Sequence, residues 1–238
     1  MSISSFSKND DYDFEIRVTL GHVQAGGADV GEVLAAVGSI KAKDHEGWFN
    51  AWDSLAARTA GAADEATSAG NSATAAGAYL RAANYYAVAV NAVASLEDAD
   101  DLLPIFRRHR AAWDGFVDNC PVPAERVSIP YEDSELPGLL LRPQGAEGRL
   151  PVVIMNNGSD GAISAMWSQG GAAALARGYA VLIFDGPGQQ SMLFERNVPF
   201  RHDWEAVITP VVDFLTARDD VDADRLALFG VSQAGYWV

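Results

Sequence analysis

The stretch DRLALFGVSQAG, residues 224–235, decides the fold. Leu226 to Phe229 read as a short buried strand, Gly230 to Ala234 as a tight turn, and the residues after them as the start of a helix. A strand that turns sharply into a helix lifts the side chain at the apex clear of the sheet, provided its neighbours are small. The apex here is Ser232, with Gly230 and Ala234 two positions before and two after it. A serine hydroxyl is a poor nucleophile at neutral pH; it needs a base at hydrogen-bond distance and donors for the oxyanion that develops on attack. The turn makes the Gln233 NH one such donor. Gly-x-Ser-x-small alone occurs by chance in many chains, so its weight depends on what precedes it.

What precedes it is the same arrangement twice over. LPVVIMNNGSDG, residues 150–161, is a continuous apolar run ending in a polar loop with glycines, followed by a helix through Met166, Ala173 and Leu175. GYAVLIFDGPGQ, residues 178–189, repeats the pattern, with a helix over 203–218. Upstream, ERVSIPYED (125–133) alternates as a strand, and a turn around Ser134 and Glu135 leads to LPGLLLRP (136–143) as its hairpin partner. Runs this apolar read as strands buried on both faces, and their alternation with helices implies a mostly parallel sheet. In open α/β sheets ligands gather at the carboxyl ends of the strands, where all three loops fall. Gly158 lets the loop after the first run turn without a side-chain clash, so the Ser159 NH is a candidate second oxyanion donor. The alternative is a tight connection in which Asp160 caps the next helix. The glycines and proline of FDGPGQ make a compact turn that Asp185 braces, or from which it touches substrate.

Before about residue 120 the period is helical. Asp29 caps a short helix, and Asp44 caps a longer one that carries Trp48, Trp52 and Leu55 on one stripe. Residues 56–93 are rich in alanine with a break at Gly70 and Asn71, which predicts a helical hairpin. Asp98 to Asp101 precede a further helix with Leu103, Phe106, Arg110, Trp113 and Val117 on one face and Pro104 early enough to be tolerated. Trp48 and Trp52 either pack helices together or face a substrate cavity. The chain therefore reads as a helical domain over 1–120 and an α/β domain over 121–238.

Composition narrows the function. The 238 residues are 49% hydrophobic and carry a formal charge of −15, which disfavours nucleic acid and anionic membrane surfaces and leaves a small molecule as the easier partner. Cys120 is the one cysteine, so no intrachain disulfide forms. MSISSFSKNDDYDFE lacks the apolar core of a signal peptide, and no apolar run reaches the roughly 20 residues that span a bilayer; a cytoplasmic location is the expectation. No Cys/His cluster has metal-ligand spacing and no glycine loop has the phosphate-binding pattern, so neither metal nor cofactor is expected.

NNGSDG (156–161), RGYAVLIFDGPGQ (177–189), HDWEAVITPVVDFL (202–215) and DRLALFGVSQAGYWV (224–238), after the alanine-rich AYLRAANYYAVAV (78–90), resemble the α/β-hydrolases that carry an N-terminal helical domain. That group includes 2,6-dihydroxypseudooxynicotine hydrolase and fungal pigment chain-shortening hydrolases. The resemblance implies a serine hydrolase with a lid-like helical domain, acting on an ester or on a carbon–carbon bond next to a ketone. Ser232 would be the nucleophile, with Gln233, Ser159 and Gly158 at the oxyanion hole; a homodimer is possible on the same ground. The triad of such enzymes runs Ser, acid, His along the chain, yet only Tyr236, Trp237 and Val238 follow the elbow. The expectation is an incomplete copy, inactive alone, with Leu226 to Phe229 on an open sheet edge. His202 starts a helix and reads as a solvated residue. A competing reading is a non-catalytic helical interaction module fused to a degenerate hydrolase half, but only one helix pair loosely fits a repeat.

Overall fold

The computed structural model describes residues 5–38 and 40–238. Residues 1–4, the start of the stretch read for a leader, and Ser39 lie outside the described residues. The chain divides into two compact units, Met1–Cys120 and Pro121–Val238.

The first unit is helical. Helix α1 (Asp10–Gly21) starts where Asn9 accepts hydrogen bonds from the Asp11 and Tyr12 NH groups. The sequence reading did not assign this helix, although an asparagine cap followed by acids in the first turn is a start signal. Helix α2 (Val30–Val37) is capped by Asp29 and α3 (His45–Ser68) by Asp44, as the sequence indicates. Gly70, with φ of 75°, breaks the chain before α4 (Ser72–Ala92). Small side chains of α4, among them Ala75, Ala82, Ala83 and Ala89, are fully buried, which lets neighbouring helices approach closely. On α5 (Leu102–Asn119) the buried face is rotated from the expected one: Ile105, Phe106, His109, Trp113, Phe116 and Val117 are inside. Leu103 is exposed and Arg110 only half-buried, because the stripe follows the apolar surface of α4 rather than the first apolar residue.

The second unit is an α/β layer structure. Its described residues form one five-stranded sheet in the order β1-β2-β4-β3-β5. Strands β1 (Ala124–Tyr131) and β2 (Ser134–Leu141) form a hairpin whose turn sits at Glu132 and Asp133, two residues before the expected position. Glu132 takes the left-handed conformation this two-residue turn requires, at φ 49°. Strand β4 (Ala180–Phe184) pairs antiparallel with β2 and parallel with β3 (Leu150–Asn156), and β3 pairs parallel with β5 (Val221–Gly230). The sheet is therefore mixed, with the parallel portion confined to β4, β3 and β5. Every residue of β4 is buried. Strand β5 lies at the sheet edge, as expected for Leu226 to Phe229, so Leu226 and Leu228 are half-buried and Phe229 is exposed although the run is apolar enough for a buried strand.

Helices cover this sheet. A π-helical turn, Trp167–Gly171, joins α6 (Ile163–Met166) to α7 (Ala172–Leu175). A short helix absent from the sequence reading, α8 (Gln190–Phe194), follows the FDGPGQ turn. Helix α9 (Glu205–Thr216) buries Val207, Val211 and Leu215. Helix α10 (Ala234–Trp237) follows the elbow and buries Trp237, which stacks on Trp204 with ring centroids 4.1 Å apart.

Candidate active site

The end of β5 shows why its sequence is glycine, one residue, then serine. A Cβ on Gly230 would lie 2.4 Å from the Ala234 carbonyl oxygen, a contact with backbone that cannot relax cheaply. Ala234 is fully buried beneath the turn. Ser232 sits at φ 58°, a left-handed conformation that non-glycine residues rarely adopt and that clusters at functional sites. The Ala234 NH donates to the Val231 carbonyl and the Gly235 NH to the Ser232 carbonyl, closing the turn into α10. The Ser232 side chain is exposed at this apex.

The loop after β3 approaches from the neighbouring strand. Asn156 pairs with Gly230 at the last rung of the ladder, and the Val231 NH donates to the Asn156 carbonyl. Two residues on, Gly158 is so close to the elbow that a Cβ there would lie 2.9 Å from Ser232 Cβ, 3.0 Å from the Val231 oxygen and 3.4 Å from Ser232 Oγ. Glycine at 158 is thus required by the Ser232 turn itself. Its NH donates to Asn157 Oδ1 at 2.9 Å, so what Gly158 brings to this junction is close approach. The Ser159 and Gln233 NH groups have no hydrogen-bond acceptor among the described residues, and both lie at this junction. Ser159 Oγ donates to Asp160 at 3.2 Å. Asp160 does not cap the next helix, since α6 begins after Ala162.

Below the loop lies a buried polar layer. Asn157 Nδ2 donates to the Ala162 carbonyl at 2.9 Å. Gln189 Oε1 accepts from the Gly186 NH at 2.6 Å, and its Nε2 donates to the Asn157 carbonyl at 2.5 Å. Asp185 accepts from Ser191 Oγ at 2.5 Å, the bracing arrangement weighed from the sequence. Asn157 and Gln189 were not among the sequence-derived site residues; polar side chains directly after fully apolar strands were the available signal.

The remaining candidates lie elsewhere. Trp48 and Trp52 are buried in the core of the helical unit, where Trp48 stacks on Tyr12 at 4.1 Å and Trp52 contacts Tyr85. This is helix packing and not the lining of an open cavity. His22 and His109 are buried in the same unit, where burial lowers their pKa values to about 4 and about 3. His45 is hydrogen-bonded to the Tyr12 hydroxyl. His202, the one histidine of the second unit, has a side chain 99% exposed beside Asp203. Ser232 Oγ has no hydrogen-bond partner among the described residues, and no group of three or more His, Cys, Asp or Glu among them is placed to hold a metal ion. No helix among them is long and apolar enough to cross a membrane.

A serine at a strained strand-to-helix elbow, faced by a glycine loop from the adjacent parallel strand, defines the α/β-hydrolase class. No protein-family profile matches the chain. It is 37% identical over 98% of its length to hydrolase acrC of Aspergillus aculeatus, and 36% identical over 96% to 20-hydroxy-prefusarin hydrolase FUS2 of Gibberella moniliformis. The chain belongs to the α/β-hydrolase family that these proteins represent. It spans 58% and 56% of those two relatives. Among solved structures, 2,6-dihydroxy-pseudo-oxynicotine hydrolase superposes with a TM-score of 0.77 at 24% identity, over 92% of this chain and 59% of that one, and so shares the fold.

Proposed function

We propose that the chain carries the nucleophile and oxyanion-binding half of a serine hydrolase. Ser232 Oγ attacks a carbonyl carbon, and the negative charge that develops on the carbonyl oxygen is held by the Gln233 and Ser159 NH groups. The leaving group departs with the bonding electrons and a proton, and water then cleaves the acyl-serine ester. The carrying observation is the left-handed Ser232 in van der Waals contact range of Gly158. The substrate is a small molecule with an ester, or with a carbon–carbon bond next to a ketone, which yields the same acyl-serine. The helical unit, residues 1–120, acts as the lid, and the protein works in the cytoplasm without a metal or cofactor.

The Oγ proton must pass to a base, and the described residues place none against Oγ. We therefore expect residues 1–238 alone to hydrolyse esters slowly, at the level that oxyanion binding supplies without a triad base, roughly 10³ to 10⁴ above water. A fluorophosphonate probe at millimolar concentration tests the assignment: with no base against Oγ the adduct should form slowly, intact-mass analysis should map it to Ser232 alone, and Ser232→Ala should remove it. Labelling at another residue, or none at millimolar probe, would overturn it.

A further inference from the structure

The most distinctive motif of the chain, FDGPGQ, contributes no atom to the reaction as proposed, yet it is tied to the elbow from two sides. On one side, a Cβ on Gly186 would lie 2.7 Å from Trp204 Cη2. Trp204 in turn stacks on Trp237 of α10, the helix that leaves the elbow. On the other side, Gln189 reaches across to the loop after β3. Its carboxamide is 1% exposed and links three groups: the Gly186 NH at 2.6 Å, the Asn157 carbonyl at 2.5 Å and Asn156 Oδ1 at 3.3 Å. The Asn157 side chain then fixes the Gly158 NH and the Ala162 carbonyl. Gly158 stands against Ser232.

We propose that Gln189 is a positioning residue: through Asn157 it sets the distance between the Ser159 NH and Ser232 Oγ at which an oxyanion can be held. The inference rests on the serine-hydrolase reading. Its physical basis is that the Asn157 carbonyl is buried and accepts its hydrogen bond from Gln189 Nε2. Without that donor the carbonyl must find water, which pulls the loop outward. Oxyanion donors act over a narrow range of distance, so a displacement of about 1 Å costs on the order of 100-fold in rate.

Two substitutions separate this role from simple maintenance of the turn. Gln189→Glu keeps the acceptor for the Gly186 NH but offers a carboxylate oxygen to the Asn157 carbonyl. Gln189→Met keeps the volume and loses both interactions. Phosphonylation of Ser232 by a fluorophosphonate, resolved into a maximal inactivation rate and a half-saturation concentration, is read beside amide exchange of residues 156–162. Both variants should lose about 10- to 100-fold in maximal rate with half-saturation little changed, and should exchange faster over 156–162 alone. If Gln189→Glu matches the wild type while Gln189→Met does not, the Gly186 bond is what matters and the proposal falls. It falls equally if both variants match the wild type, or if exchange accelerates throughout β3, β4 and α9. An unlabelled wild type would remove the serine-hydrolase reading and this inference together, whereas a labelled wild type with unaffected variants removes the inference alone.

Discussion

Replacing Gly158 with alanine tests the apposition of the loop after β3 and Ser232 without any need for turnover. The new Cβ would stand 2.9 Å from Ser232 Cβ, 3.0 Å from the Val231 oxygen and 3.4 Å from Ser232 Oγ. Carbon atoms prefer about 3.5–4.0 Å, so the loop or the elbow must give by more than half an ångström. Overpacking of this kind costs about 1–3 kcal/mol. Two of the three contacts belong to the Ser232 side chain, and in a Ser232→Gly background they vanish, leaving the Val231 oxygen. The cost of Gly158→Ala should then fall by about half, a coupling of about 1 kcal/mol. Ser232→Gly also relieves the left-handed φ of 58°, but that gain is common to both arms of the cycle and cancels. Urea-dependent amide protection of the β3 and β4 peptides isolates the α/β unit and gives the four free energies. Sites that do not touch add within about 0.3–0.5 kcal/mol. A coupling inside that range would show that the loop after β3 does not face Ser232, and the oxyanion geometry built on it would be wrong.

Ser232→Gly on its own should stabilise the α/β unit by up to about 1 kcal/mol, since relief of left-handed strain exceeds the entropy that glycine adds to the unfolded chain; destabilisation in the same urea assay would contradict the strain. Gly230→Ala places a methyl 2.4 Å from the Ala234 oxygen and should cost about 3 kcal/mol or more, visible as loss of soluble protein or of β5 protection. Acid should loosen the helical unit first. His22 and His109 titrate near pH 4 and pH 3 when folded, because burial disfavours the cation, against 6.5 in an open chain. Between those values the unfolded state binds more protons, so stability declines as pH falls from about 6.5, and His22 alone contributes about 3 kcal/mol to the decline by pH 4. Helical ellipticity in urea, measured from pH 7 to pH 4, should report it, and a flat stability profile would refute it.

How far the sequence carried can be judged residue by residue. Caps and breaks were legible because each is a local contact: Asp29 reaches the Glu32 NH, Asp44 reaches the Gly47 NH, and Gly70 has the positive φ that ends α3. The elbow was legible for the same reason, since Gly230, Ser232 and Ala234 constrain one another within five residues. The α5 face was misjudged because its rotation is set by α4, which no window on α5 contains. Strand β5 reads as buried from its composition and as an open edge from the triad order, and the order β4-β3-β5 bears out the edge, because burial of a strand depends on its place in the sheet. The role of Gly158 was half legible. Its freedom from a side chain was read as permission to turn, whereas the structure shows a requirement imposed from position 232, 74 residues away along the chain.

FDGPGQ shows why a motif can be conspicuous in sequence without holding the reacting atoms. A strand buried on both faces, as β4 is, must end by returning polar backbone to an environment where water is excluded, and every group freed there needs a partner. Asp185 is matched by Ser191, the Gly186 NH by Gln189, and the Asn157 carbonyl of the adjacent strand end by the same Gln189. Glycine at 186 admits the Trp204 ring, and glycine at 188 supplies a φ of 81° beneath Phe200. Four positions, 185, 186, 188 and 189, are thereby fixed at the carboxyl edge of the sheet, the acid and the glutamine by satisfaction of buried groups and the glycines by close packing and a positive φ. The carboxyl edge is also where Ser232 emerges. A turn selected to bury its polar groups without strain becomes the rigid support against which the loop after β3 rests, and that coupling is what the Gln189 variants measure.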